Sequence, residues 1–235
     1  MEEQAQSNQQ NPPKDPATLP VPETLPIMPL HGFVFFPGMG FPLQVASDSA
    51  KQLVDEAMLG DRMMGLVLCH KKQASVNDEI TGNDLHRVGV VGYIHNVTRA
   101  EEGYYQVLVS GIHKITVTEY TRDLPYIEGR ISRIPMFFDD ENKELNAWVL
   151  NIREQFKELG NVTDMPEEIL ATINAITDPY HVGYLATSQL NLKVEEEQEI
   201  LEIVEINLML HRVARELNKR LETVRMSNKL QEDIK

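Results

Sequence analysis

His86, His95 and His113 fall in or beside β-prone stretches, and three imidazoles meeting beside a carboxylate would supply the bases of a hydrolase. The other chemistry-bearing residues do not support that arrangement. Cys69 and His70 are neighbours on an extended stretch, so their side chains leave on opposite faces and cannot form a nucleophile–base pair. Ser110-Gly111 has no strand-to-helix turn around it and is not a nucleophile elbow. The chain contains no GxxxxGK[ST] phosphate loop, no GxGxxG turn and no HExxH, and Cys69 has no second cysteine with which to hold zinc. Seven scattered histidines are more simply surface or hydrogen-bonded core groups. Glu195-Glu196-Glu197 reads as the negative first turn of a helix. No catalytic, metal or cofactor site is expected.

Adaptable apolar surface is what remains. Ten methionines, among them Met28, Met39, Met58, Met63 and Met64, suit a surface that must accept many apolar shapes. The stretch LPIMPLHGFVFFPGMGFPLQV, residues 25–45, carries no charged side chain. Its corner, Phe35, Phe36, Met39 and Phe41, with Met63 and Met64 beside it, is expected to form an apolar substrate-binding patch. The competing expectation is that these residues are the core of the lobe.

The elements that would position this corner follow from proline, glycine and periodicity. Pro26 and Pro29 flank short extended pieces, 33–36 reads as a buried strand, Pro37-Gly38 as a turn, and 41–45 as a second strand. The prolines confine the segment to an edge or corner of a sheet. Ser47 or Asp48 caps a short helix bearing Leu53, Val54, Ala57 and Met58, which Gly60 ends. Strands follow at 64–69, 87–98, 104–110, 114–120 and 127–134, with a loop over 73–85 and a hairpin connector at 100–103. About six strands with one short helix predict a small, curved, mostly antiparallel sheet.

After Pro135 the apolar period changes from two to 3.6. Asp139-Asp140 is expected to cap a helix that Gly160 closes; Asp164 and Pro166 open a second, and Asp178-Pro179 a third running to about residue 190. From Val194 a single long helix is expected, its stripe narrowing after Leu217. Leu217, Leu221 and Val224 on this projecting part are expected to mediate self-association. No glycine or proline stops this helix, which suggests a piece of something longer. The class is α+β: residues 1–22 a disordered tail, 23–136 a β-rich lobe, and 137–235 a helical subdomain.

Lys and Arg total 22 against 36 Asp and Glu, a formal net charge of −14 that disfavours nucleic acid and anionic membrane as partners. The single cysteine excludes an intramolecular disulfide and fits a reducing cytoplasm. No apolar run reaches the roughly 20 residues of a membrane span.

Taken in order, "LPIMPLHGFVFFPGMGFPLQV", "HRVGVVGYI", "VLVSGIHKITV", "MPEEILATINAITDPYHVGYLA" and "LNLKVEEEQEILEI" resemble the amino-terminal domain of the Lon ATP-dependent proteases. The likeness extends from Leu25 to the end, with departures at His31-Gly32, Ser110 and Gly183-Tyr184. It implies a PUA-like pseudo-barrel followed by a helical bundle. It also implies a domain that captures unfolded, damaged or degron-bearing proteins and helps a bacterial cytoplasmic ring of copies, a hexamer, assemble. ATP and Mg would then be cofactors of ATPase and protease modules that this sequence lacks, and the chain itself would be no enzyme. The alternative is a stand-alone protein of the same fold that binds a peptide or small ligand.

Overall fold

The two prolines expected to interrupt the opening stretch lie inside a strand. β1 (Thr24–Leu30) contains both, in a computed structural model that describes residues 15–71 and 79–233. β6 (Glu128–Arg133) pairs antiparallel with residues 24–26, whereas β3 (Met63–Leu68) pairs parallel with residues 27–30. Each proline therefore has a ladder on one side only, and its missing N–H leaves no bond unmade. The expected strand at 33–36 is instead irregular, and β2 (Gly40–Val45) does not pair with β1. Reciprocal bonds hold this irregular segment to the sheet, since Gly38 donates to the Gly111 carbonyl and Gly111 donates to Met39. A Cβ on Gly111 would lie 2.5 Å from the Phe36 carbonyl oxygen, so only glycine permits the approach.

The two strands expected at 104–110 and 114–120 are one, β5 (Tyr105–Arg122), bent where its register with β4 (Val88–Arg99) shifts beside Gly92 and Gly111. The sheet order is β2-β5-β4-β3-β1-β6, and β6 also pairs with the second half of β5. One end of the sheet thus closes into a barrel through β6. β2 ends the sheet on β5, and its outer edge and the side of β1 residues 27–30 away from β3 are left unpaired. α1 (Asp48–Leu59), capped by the Ser47 hydroxyl and ended at Gly60, packs Leu53, Val54 and Ala57 into one half of the barrel core. Residues 15–22, expected to be part of a disordered tail, follow the barrel wall: Pro16–Thr18 forms a 3-10 turn, and Leu19 and Val21 pack on the other half of the core. The rest of that tail lies outside the described residues.

The helical part begins at α2 (Lys143–Val162), capped by Asn142 rather than by Asp139-Asp140. Gly160 does not close it. A Cβ there would meet Leu170 at 2.9 Å, so this glycine lets α3 (Glu167–Ala175) lie close against α2. α4 (Pro179–Ser188) is almost wholly buried. Its Tyr184 ring stacks on Phe36 at 5.1 Å, and Val34, Phe36, Leu68 and Val90 share one core with the helices.

The single long helix expected from Val194 is two: α5 (Val194–Glu202) and α6 (Ile206–Asp233). The carbonyls bared at the break are satisfied from elsewhere in the fold. Lys114 of β5 donates to the Ile203 carbonyl at 2.6 Å, and the Tyr180 hydroxyl to that of Val204 at 3.2 Å. No glycine or proline marks the break because tertiary donors make it.

Burial pushes the Lys114 ammonium down to about 8 from an ordinary 10.5, with Glu202 opposing the shift. Below pH 8 the amine is charged in both folded and unfolded chains, and folding bears the full cost of burying it. Between pH 8 and 10.5 the folded protein sheds a proton that the unfolded chain keeps, so this cost falls and stability rises. Urea denaturation of wild type and Lys114→Met across that range is expected to show the wild-type midpoint gaining on the variant's. A constant difference would contradict this.

α6 runs parallel to α2, joined by Trp148 on His211, by Gln155 to Asn218 at 2.9 Å, and by an Arg225–Glu158 ion pair. Leu217 and Leu221 are buried in this seam and Val224 packs against it. The apolar stripe expected to mediate self-association is thus covered by α2 within the same chain.

Candidate functional site

Where β1 and β2 face each other unpaired, a cleft of about 710 Å³ opens. Its walls are the edges 27–31 and 41–45, and the start of α1 and the 123–127 connection complete it. Phe33 and Phe41 meet edge to face at 5.6 Å across its mouth, and Phe41 also stacks on buried Phe35 at 6.0 Å. Leu43, Val45 and Leu53 form the apolar floor, while Leu124, 72% exposed, and half-buried Tyr126 stand at the rim. The Ser49 hydroxyl donates to the Pro125 carbonyl at 2.7 Å, which ties α1 to the 123–127 connection, and Asp123 accepts from the Gly82 amide at 2.8 Å, which anchors that connection from behind. The arrangement offers adaptable apolar area with few fixed polar contacts, which suits side chains of varied shape.

Of the six residues expected to form a surface patch, Phe41 alone is substantially exposed, at 41%. Phe35, Phe36, Met63 and Met64 are buried, and Met39 is half-buried between two core clusters. The reason is β3's central place in the sheet. Both its faces are covered, so Met63 enters one half of the barrel core and Met64 the other. The cleft residues missed in the sequence are Phe33, Leu53, Leu124 and Tyr126. Leu124 carried the one usable signal, a large apolar residue in a Pro-containing connection where polar residues are usual.

The strand histidines do not converge. His86 donates to Glu202 at 3.3 Å and stacks on His70 at 3.9 Å; burial first, and then His70, hold its pKa below the usual value. His113 donates from Nε2 to the Ala17 carbonyl and accepts at Nδ1 from Arg133, and burial followed by Arg133 lowers its pKa. His95 lies 2.8 Å from the Ser110 hydroxyl, but the pair is joined by no carboxylate among the described residues. Each histidine has its own structural partner. No group of three or more His, Cys, Asp or Glu that could hold a metal occurs among the described residues.

Comparison with known proteins supplies the class. Residues 24–219 match the ATP-dependent protease La (LON) substrate-binding domain. The Lon protease of Syntrophus aciditrophicus is 31% identical over 222 residues, covering 94% of this chain and 28% of that protein. That of Trichlorobacter lovleyi is 32% identical over 79% of this chain and 22% of its own length. The chain belongs to the Lon substrate-binding domain family. It spans about a quarter of the length of the curated relatives it matches. The fold agrees with the N-terminal domain of a Mycobacterium avium complex Lon protease, at a TM-score of 0.65 and 17% identity, covering 83% of this chain and 98% of that one. It agrees also with a Lon N-terminal domain protein from Xanthomonas campestris, at a TM-score of 0.58 and 18% identity, covering 81% and 96%. The expected α+β class and family are thus both found. No helix among the described residues is long and apolar enough to cross a membrane.

Proposed function

We propose that the chain is a polypeptide-recognition domain and that the cleft between the β1 and β2 edges receives apolar side chains of unfolded, damaged or degron-bearing proteins. The observation that carries the reading is the cleft itself: about 710 Å³ of space with an apolar floor in a chain of the Lon substrate-binding family. An unfolded chain presents aromatic and aliphatic groups intermittently, so its receptor needs adaptable apolar area rather than a fixed polar code. Ordering such a chain costs several kcal/mol, which places affinity at about tens of micromolar or weaker. Weak capture suits a domain that passes substrate to ATP- and Mg-dependent modules carried elsewhere in a cytoplasmic protease, where a ring of copies adds avidity.

Phe41→Ser and Leu124→Ser alter exposed side chains at the cleft mouth. Each is expected to weaken binding of unfolded casein about five- to tenfold, on the scale of 1–1.4 kcal/mol of lost apolar contact, with the thermal midpoint within a few degrees of wild type. Unchanged affinity in both variants would remove the cleft from the account.

A further inference from the structure

The walls of the cleft lack a backbone donor at two places. Ile27 donates to the Ile127 carbonyl on the β6 side, so by the two-residue alternation of a strand Pro29 turns the same way, beyond the end of the β6 ladder. Met39 accepts from Gly111 on the β5 side, so Pro42 and Gln44 turn away from β5, toward the open edge. Proline has a carbonyl and no N–H. At Pro29 and Pro42 the two edges that bound the cleft therefore offer a carbonyl without the N–H that an ordinary residue would add beside it. This also blocks simple addition of a strand, because two donors of the ladder are missing.

The side chains lean the same way. Asp48, Glu79 and Asp123 line the cleft, and no lysine or arginine lines it among the described residues. Asp48 is fully exposed and forms an ion pair with Lys51 at 3.8 Å, and Asp123 remains an acceptor beyond its bond from Gly82. An apolar floor under a rim that carries three carboxylates and, at Pro29 and Pro42, carbonyls without N–H groups fits an occupant that is apolar at its centre and cationic at its flanks. Lysine and arginine heads carry three and five donors and no acceptor.

Resting on the reading of the cleft as the polypeptide site, we propose that it selects apolar segments flanked by lysine or arginine and rejects the same segments flanked by acids. The match comes from charge and from the proline edges together, so it is a property of this cleft and not of the surface at large.

The test uses two 12-residue fluorescent peptides with an identical Leu-Phe-Leu centre, one flanked by lysines and one by glutamates, titrated with the whole chain. The lysine-flanked peptide is expected to bind at least about tenfold tighter at low salt, with the gap narrowing as salt screens the rim. Asp48→Lys with Glu79→Lys should erase the gap; Asp139→Lys with Asp140→Lys, on the connection before α2, should leave it. Equal binding of the two peptides, both weakened by Phe41→Ser, would overturn the charge selection while sparing the cleft as the polypeptide site. A gap that closes as far with the Asp139/Asp140 pair reversed would overturn it too, by showing general attraction to an acidic protein. Binding of neither peptide, or binding indifferent to Phe41→Ser, would bring down the polypeptide site itself and the selection with it.

Discussion

Replacing Phe36 by alanine is expected to cost about 3–5 kcal/mol and to loosen the barrel and the helices together. The ring is 1% exposed and stacks on Tyr184 of α4, so it is a principal contribution of the irregular 31–39 segment to the core shared by the two halves. Its backbone cannot retreat to refill the space, because Gly38, Met39 and Gly111 are tied by reciprocal hydrogen bonds. The cavity should therefore persist, which puts the cost at the high end for an aromatic deletion. Phe36→Leu keeps most of the volume and should cost less than half as much. Trp148, the only tryptophan, lies on α2 and reports the helical half by fluorescence, while circular dichroism reports the whole chain. In Phe36→Ala both signals are expected to move to lower urea together. A Trp148 midpoint that stayed at the wild-type value would show that the helices do not depend on this contact.

Met64→Ser is the second large effect. Met64 is fully buried on the α1 side of the barrel core, among Leu53, Leu66 and Val109. The change removes the thioether from a close-packed site and leaves a hydroxyl without a partner, together about 3–5 kcal/mol. For a chain of this size that lowers the thermal midpoint by on the order of 10 °C. Well below that midpoint the affinity for unfolded casein should equal the wild type's, because Met64 does not line the cleft. A midpoint within two or three degrees of wild type, together with lost affinity, would show instead that Met64 is a surface contact.

Several local signals were readable because a local group decides the structure, although the Asn142 cap of α2 was missed in favour of Asp139-Asp140. Ser47 caps α1, Gly60 ends it and Asp178-Pro179 opens α4, because each is settled by one side chain or one restricted backbone. What was not readable depended on partners distant in sequence. Lys114 and Tyr180 satisfy the carbonyls at the α5–α6 break from 89 and 24 residues away, so nothing in the local sequence announces it. The stripe of Leu217 and Leu221 looked unpartnered because its partner, α2, lies earlier in the chain and runs parallel to it. The methionine pair is a similar case. A continuous apolar run is ambiguous between a surface patch and a strand covered on both faces, and only the place of β3 between β1 and β4 resolves it. The uncharged opening stretch led to the right region for a partial reason. Its phenylalanines divide between core and cleft, and the prolines expected at a sheet edge border that cleft at Pro29 and Pro42.

Methyl-resolved NMR of the whole chain titrated with unfolded casein tests the cleft as the polypeptide site most directly. Shifts are expected to concentrate on Leu30, Leu43, Leu53, Ile80 and Leu124 around the cleft, with α6 methyls such as Leu208 and Leu230 unmoved. Perturbations centred on the exposed Val204 and Leu208, with the cleft methyls silent, would contradict the account.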